Sequence, residues 1–208
     1  MPARIFVLSG VDGAGKSSIG GASLAHYGVS FYDPDEQASE LQAGNPALSR
    51  EDASAQAAEL GRRGLERALS TGEQYFFETT LAAHTLAAML MTGARAGAEV
   101  NVWFAGLATP ELHLERVRSG GRQVAEAKIR QRYLSSLQNL VELMPHLWSL
   151  VVFDNSIEGD PQRGLAPRPR LVLRMRGGRE ITEMIAPADV PAWAKPVVMQ
   201  ALRLMKRK

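Results

Sequence analysis

The run Gly10-Val11-Asp12-Gly13-Ala14-Gly15-Lys16-Ser17 combines spaced glycines with a lysine and a hydroxyl, a pattern suited to holding phosphate. Glycines let successive backbone N–H groups turn inward around phosphate oxygens that a Cβ would crowd. In this pattern Lys16 reaches the β- and γ-phosphates of a nucleotide, and Ser17 offers its hydroxyl to Mg²⁺ as the metal ligand. Gly10, Asp12, Gly13, Ala14, Gly15, Lys16, Ser17 and Ser18 are therefore the candidate nucleotide-binding set, with ATP and Mg²⁺ the expected cofactors. Context separates the motif from a structural glycine-rich turn: Ile5-Phe6-Val7-Leu8 reads as a buried strand before it, and a helical pattern follows.

A phosphoryl donor needs an acceptor and a base, and three acids are candidates. Asp35, Glu78 and Asp154 each follow an apolar run, so each is expected just past the carboxyl end of a strand, where ligands bind in an open parallel sheet. Asp35 and Glu78 are preferred over Asp154 for the metal-orienting role. Asp154 resembles the metal-orienting acid of many phosphate-loop ATPases, but it leads at once into Asn155-Ser156. That segment reads equally as a structural turn and as a turn beside the nucleotide base, which adds Asn155 to the cofactor-binding set.

Basic residues form a second constellation. Arg116, Arg118, Arg122, Arg130 and Arg132 flank the break Ser119-Gly120-Gly121, as in a lid that closes over a polyphosphate. Their guanidinium groups suit charge growing on the transferring phosphoryl oxygens. The plainer alternative is a pair of solvated helix faces neutralised by Glu115 and Glu126.

Five strands, at 4–8, 29–32, 75–77, 100–105 and 150–153, alternate with helices and position these groups. The alternation predicts an α/β P-loop NTPase fold, a five-stranded parallel sheet with helices on both faces. The first helix, Lys16 to about His26, contains Gly20 and Gly21, which suggests close backbone packing. Asp33-Pro34-Asp35-Glu36 is expected as a loop, with Pro34 holding Asp33 extended. Ser49 caps a helix to about Ser70 with Ala53, Ala57, Leu60, Gly64 or Leu65, and Ala68 or Leu69 inward. A helix over 83–96 buries Leu86, Met89, Leu90 and Ala94. Thr109-Pro110 opens another to about Arg118, and a further helix covers 125–143. After Ile157 the pattern changes: a two-residue hairpin at Gly177-Gly178 adds antiparallel strands to the sheet edge. A helix over 191–205 buries Val197, Val198, Ala201, Leu202 and Met205. The expectation is one domain over 1–208, with its core at 3–157 and the C-terminal hairpin and helix at 168–206.

Composition narrows the class. The chain has 208 residues, no cysteine, and 24 basic against 22 acidic residues, for a net charge of +2. It is long enough to bury a core without disulfides or metals, and the absence of cysteine fits a reducing, cytoplasmic compartment. The balanced charge argues against a nucleic-acid partner, and the lack of a long apolar span argues against a membrane one. The basic stretch Arg168 to Arg179 and the tail Lys206-Arg207-Lys208 are the only footing for a polynucleotide kinase.

Taken in order, several blocks resemble the short zeta-toxin-like P-loop kinases. They are the phosphate loop, Asp33-Pro34-Asp35-Glu36, Phe77-Glu78-Thr79-Thr80-Leu81, Arg116-Val117, Gly120-Gly121, Ile129-Arg130-Gln131-Arg132-Tyr133, Ser136-Leu137-Gln138-Asn139-Leu140 and Asp154-Asn155-Ser156. The resemblance covers about residues 3–157. The related zeta toxins phosphorylate UDP-N-acetylglucosamine from ATP, so the resemblance implies transfer of the γ-phosphate to a hydroxyl of a small-molecule acceptor such as a nucleotide sugar. It also raises an antitoxin protein as partner. By the same resemblance Asp35 is the catalytic base, Asp33, Glu78 and Thr80 position substrate, and Arg130 and Arg122 join Lys16 in stabilising transferred charge. The chain departs from the family pattern at Asp33, where asparagine is expected, at Arg122, where histidine is common, and between Arg116 and Gly120, which is about a turn short. An ATPase or nucleotide switch without an acceptor is the competing reading. A GTPase is disfavoured because no Asn-Lys-x-Asp segment follows the fourth strand.

Overall fold

In the computed structural model, residues 1–16, 19–20, 31–121, 124–157 and 169–206 are described. Strands β1 (Arg4–Ser9), β2 (Gln74–Thr79), β3 (Glu99–Gly106), β4 (Ser149–Asp154), β5 (Arg170–Arg176) and β6 (Glu180–Met184) form one sheet in the order β2-β1-β3-β4-β5-β6. The first four are parallel; β5 and β6 add antiparallel beyond β4. The α/β P-loop NTPase fold is as expected, but the strand count is not. Of the expected second strand only Phe31 and Tyr32 are described, and Tyr32 makes a single parallel bridge to Phe77. The hairpin has three connecting residues, since Arg176 pairs with Glu180.

Of helices α1 (Pro34–Gly44), α2 (Arg50–Thr71), α3 (His84–Arg95), α4 (Pro110–Ser119), α5 (Glu126–Leu143) and α6 (Lys195–Lys206), α2 and α3 lie against the sheet, while α1 packs on α2 and α4 on α5. Ser49 caps α2 through the Asp52 amide, and Thr109 caps α4 through the Leu112 amide ahead of Pro110, as the sequence predicts. The segment expected as a loop at 33–36 is instead the start of α1. Asp33 is extended, as a residue before proline should be, and its Oδ1 accepts from the amides of Asp35 at 2.8 Å and Glu36 at 3.4 Å. Asp33 is therefore a helix cap, and Asp35 lies in a helical first turn.

The main core gathers Ile5, Val7, Phe104, Leu140, Val152 and Leu173 with Trp193, Val197 and Ala201 of the C-terminal segment. Leu60 and Met205 are exposed, contrary to expectation; Gly61 and Leu204 occupy the inward positions beside them. Gly20 does pack closely, since a Cβ there would meet Leu8 at 2.8 Å. Gly21 is outside the described residues.

Candidate functional site

The phosphate loop leaves the carboxyl end of β1 beside that of β3. Gly13 has φ of +80°, and a Cβ on it would lie 2.8 Å from the carbonyl oxygen of His113, so α4 approaches the loop as closely as glycine allows. Val11 sits in a small apolar cluster with Leu114, Val117 and Ile129, which seats α4 and α5 on the loop. Lys16, only 7% exposed, donates to the Gly10 carbonyl at 2.8 Å and lies 3.3 Å from Glu78 Oε1. Ser17, Ser18 and Arg122 lie outside the described residues.

Glu78 is brought to Lys16 by strand pairing. Its amide donates to the Tyr32 carbonyl, and the Tyr32 amide donates to the Phe76 carbonyl, both at 2.8 Å, so the chain at Tyr32 runs alongside β2 and delivers Asp33 and Asp35 beside Glu78. Burial pushes the Glu78 carboxyl up; Lys16 pulls it down, and the charges of Asp33 and Asp35 raise it again, leaving it above the usual carboxylate range. The second oxygen, Oε2, is buried with no hydrogen-bond partner among the described residues, as are Ser9 Oγ and Asn155 Oδ1. Asp35 itself is exposed.

Beyond β2 the chain is held in a costly shape. Leu81 is fully buried at φ +55°, which a non-glycine residue keeps only when its surroundings dictate it. Thr79 Oγ1 accepts from the Leu81 amide at 3.1 Å, and Asn139 of α5 donates to the Leu81 carbonyl at 2.8 Å. Thr80 is fixed between Glu78 and this pinned residue, with its Oγ1 accepting from the Ala82 amide at 3.4 Å.

Of the arginines expected to form a lid, Arg132 meets the loop, through Asp12 Oδ2 at 2.6 Å. Burial would raise the Asp12 carboxyl, but Arg132 and Lys16 together outweigh it and hold the group below its ordinary value. Arg130 faces away, bonded to Glu111 at 2.6 Å and Glu126 at 2.8 Å, and Arg118 lies 3.7 Å from Glu126. Arg116 flanks the loop, its Cβ 3.3 Å from where a Gly13 Cβ would stand. Sequence reasoning missed His113. This histidine is 1% exposed, and its Nδ1 lies 2.8 Å from the Asp12 carbonyl, a bond in which the ring N–H donates. Burial drives its pKa down to about 4, so the ring is neutral at pH 7. Only its place on the inner face of α4, between Thr109 and Arg116, could have signalled it.

Asn155 is 2% exposed and lies under the loop, donating from Nδ2 to the Ala14 carbonyl at 2.9 Å. Asp154 accepts on Oδ1 from the Ser156 amide at 3.2 Å, the Ser156 hydroxyl and the Trp193 indole at 3.1 Å. These contacts fit the structural-turn alternative for Asp154. No described helix is long and apolar enough to cross a membrane.

No protein-family model matches the sequence, and no curated protein matches it either. Solved structures do resemble it. A chain of the AvrRxo1-ORF1:AvrRxo1-ORF2 complex with ATP aligns at a TM-score of 0.64 and 16% identity, covering 95% of this chain and 63% of that one. A chain of the native complex gives 0.65 and 15%, covering 98% and 71%. A chain of the PezAT chromosomal toxin-antitoxin system of Streptococcus pneumoniae gives 0.54 and 16%, covering 100% and 88%. This chain thus spans under two thirds of the length of the ATP-complex chain it matches. The zeta-toxin-like fold expected from the order of the motifs is present.

Proposed function

We propose that this protein is an ATP-dependent kinase that transfers the γ-phosphate to a hydroxyl of a small acceptor, with a nucleotide sugar such as UDP-N-acetylglucosamine the first candidate. The observation that carries the reading is the 3.3 Å approach of Lys16 to Glu78, with Asp33 and Asp35 on the adjoining segment. A phosphate-gripping lysine with acids on the adjoining segments suits transfer to a bound acceptor. The fold likeness to a chain crystallised in a complex with ATP supports the nucleotide, and the likeness to a PezAT chain supports an antitoxin protein as partner. A cytoplasmic setting fits both.

In this reading the loop amides and Lys16 cradle the phosphates, and a phosphate drawing on Lys16 loosens its hold on Glu78. Asp35 takes the acceptor proton while Glu78 and Thr80 orient the acceptor. Arg132, already at the loop, supplies the guanidinium that Arg130 was expected to supply. Mg²⁺ neutralises phosphate charge when bound. Among the described residues no group of three or more His, Cys, Asp or Glu could cage a metal. Ser17, the hydroxyl of the loop motif, would hold Mg²⁺ carried on a nucleotide with few protein ligands, which leaves Glu78 to the acceptor.

The test is phosphate transfer from γ-labelled ATP to a panel of nucleotide sugars, sugars and nucleosides. Asp35→Asn should lower transfer about 10²–10⁴-fold, the usual range for a lost general base, with ATP affinity little changed. ATP turnover that no acceptor accelerates, and that Asp35→Asn leaves intact, would replace this reading with the ATPase or switch.

A further inference from the structure

The C-terminal segment lies beyond residues 3–157, which carry the motif resemblance, yet it reaches the phosphate site. Trp193, 5% exposed in the 3-10 turn Ala192–Ala194, sets its ring over the end of β3: a Cβ on Gly106 would lie 2.2 Å from the ring carbon Cη2. Its indole N–H donates to Asp154 Oδ1 at the end of β4. One side chain therefore grips the carboxyl ends of two neighbouring strands.

Those two ends carry the loop. The Asn155 amide donates to the Gly106 carbonyl at 3.0 Å, and the Asn155 side chain donates to the Ala14 carbonyl. A Cβ on Gly10 would lie 2.4 Å from the Ala105 carbonyl oxygen, so the loop also rests on β3 one residue before Gly106. With the Ala14 carbonyl drawn down to Asn155, the trans peptide turns the Gly15 N–H the opposite way. Val197, Val198, Ala201 and Leu204 of α6 bury the rest of the segment in the main core and give Trp193 a rigid base.

Resting on the nucleotide-binding part of the reading above, we propose that Trp193 is a positioning residue for the phosphate loop. It acts through the Asp154–Asn155 turn and makes the C-terminal segment part of the nucleotide site's support. A merely structural tryptophan would contribute stability without a specific tie to Ala14.

The decisive variant is Trp193→Phe, which keeps most of the ring and removes the N–H. In the full chain it should weaken MgATP binding about tenfold by titration calorimetry, the scale of one lost hydrogen bond to a charged acceptor. Asp154→Asn, which keeps an acceptor oxygen for the indole, should bind nearly as wild type; Asp154→Ala should match Trp193→Phe. On an Asn155→Ala background Trp193→Phe should have little further effect, because the two act in series. Val100→Ala, a buried substitution at the amino end of β3 and so at the far end of that strand from Gly106, controls for lost stability and should leave MgATP affinity unchanged. Hydrogen exchange without nucleotide supplies a readout independent of ATP: amides 13–16 should exchange faster in Trp193→Phe while β2 is unaffected. Wild-type protein that fails to bind MgATP but shows this exchange difference would sink the nucleotide reading and leave the positioning role. Unchanged exchange in the loop, or additive effects of Trp193→Phe and Asn155→Ala, would overturn the inference.

Discussion

Two arginines two residues apart on α5 face opposite ways: Arg132 turns inward to Asp12 of the phosphate loop, whereas Arg130 turns outward between Glu111 and Glu126. Two residues of α-helix are about 200° of rotation, so these neighbouring members of one basic cluster leave the helix on opposite sides. The inner pair is the more sheltered, with the Asp12 side chain 10% exposed against 62% for Glu111. Removing charges from water is costly, and a sheltered pair persists when something further holds it in place; an exposed pair forms cheaply and contributes little. Here the sheltered charges, Lys16 with Glu78 and Arg132 with Asp12, are the ones that converge on the loop. The contrast between inner and outer charges thus becomes a functional criterion, and it can be broken at four places.

The largest effect is expected at Lys16. Lys16→Met should lower MgATP turnover by about 10³-fold or more, because the charge at the transferring phosphate is lost from a sheltered site. Circular dichroism should show the fold retained. Turnover within threefold of wild type would end the phosphate-loop reading.

Arg132→Ala should come next, with a loss of about 10²-fold expressed in kcat more than in KM, since the charge it opposes grows in the transition state. Arg132→Lys should recover only part of this, because an ammonium cannot reproduce the planar fork at Asp12. Full recovery by lysine would reduce Arg132 to a point charge.

Much of this arrangement is legible in the sequence and some is not, for physical reasons. The phosphate loop, the caps at Ser49 and Thr109 and the edge hairpin are local signals, fixed by glycine, proline and hydroxyl chemistry within a few residues. Asp33-Pro34 carries the same cap-then-proline signature as Thr109-Pro110, yet a run of acids beside a proline reads equally well as ligands on a loop. Which arginine faces the loop is not local. It depends on how α5 rotates when Ile129 enters the cluster with Val11, Leu114 and Val117. His113 gives no pattern at all, since its partner is a backbone carbonyl about a hundred residues earlier. Asp154 is legible as a turn, but its tie to Trp193 is not.

His113 yields a smaller effect, visible in stability. The unfolded chain protonates this ring near its ordinary 6.5, the folded chain only near about 4. Between those values the unfolded state binds the extra proton, so the histidine's contribution is complete above about 6.5 and is lost as pH falls toward about 4. Glu78, with its raised carboxyl pKa, acts in the opposite sense on acidification, so the histidine must be isolated by difference. His113→Gln retains an N–H donor for the Asp12 carbonyl and does not titrate. Urea melts at pH 7.5 and pH 5 should show wild type losing more stability than this variant, and equal losses would mean that the ring is not neutral in the folded protein.

The smallest effect is expected at Arg130, and a small effect here is what makes the comparison informative. Its side chain is 45% exposed, and its partners Glu111 and Glu126 are themselves solvated at 62% and 49%. Such pairs contribute about 0–1 kcal/mol, because water and salt compete for the charges and two long side chains must be immobilised. Arg130→Ala should therefore change stability by less than about 0.5 kcal/mol and kcat by less than about threefold. If Arg130 instead swings inward when nucleotide and acceptor bind, as its place in the family motif implies, the same variant would lose kcat as heavily as Arg132→Ala while its melting curve stayed unchanged. A double variant then distinguishes two arginines acting together from one acting alone. Losses that multiply would place both guanidinium groups at the phosphate in the closed state, and a double variant no slower than Arg132→Ala would leave Arg130 on the outer face.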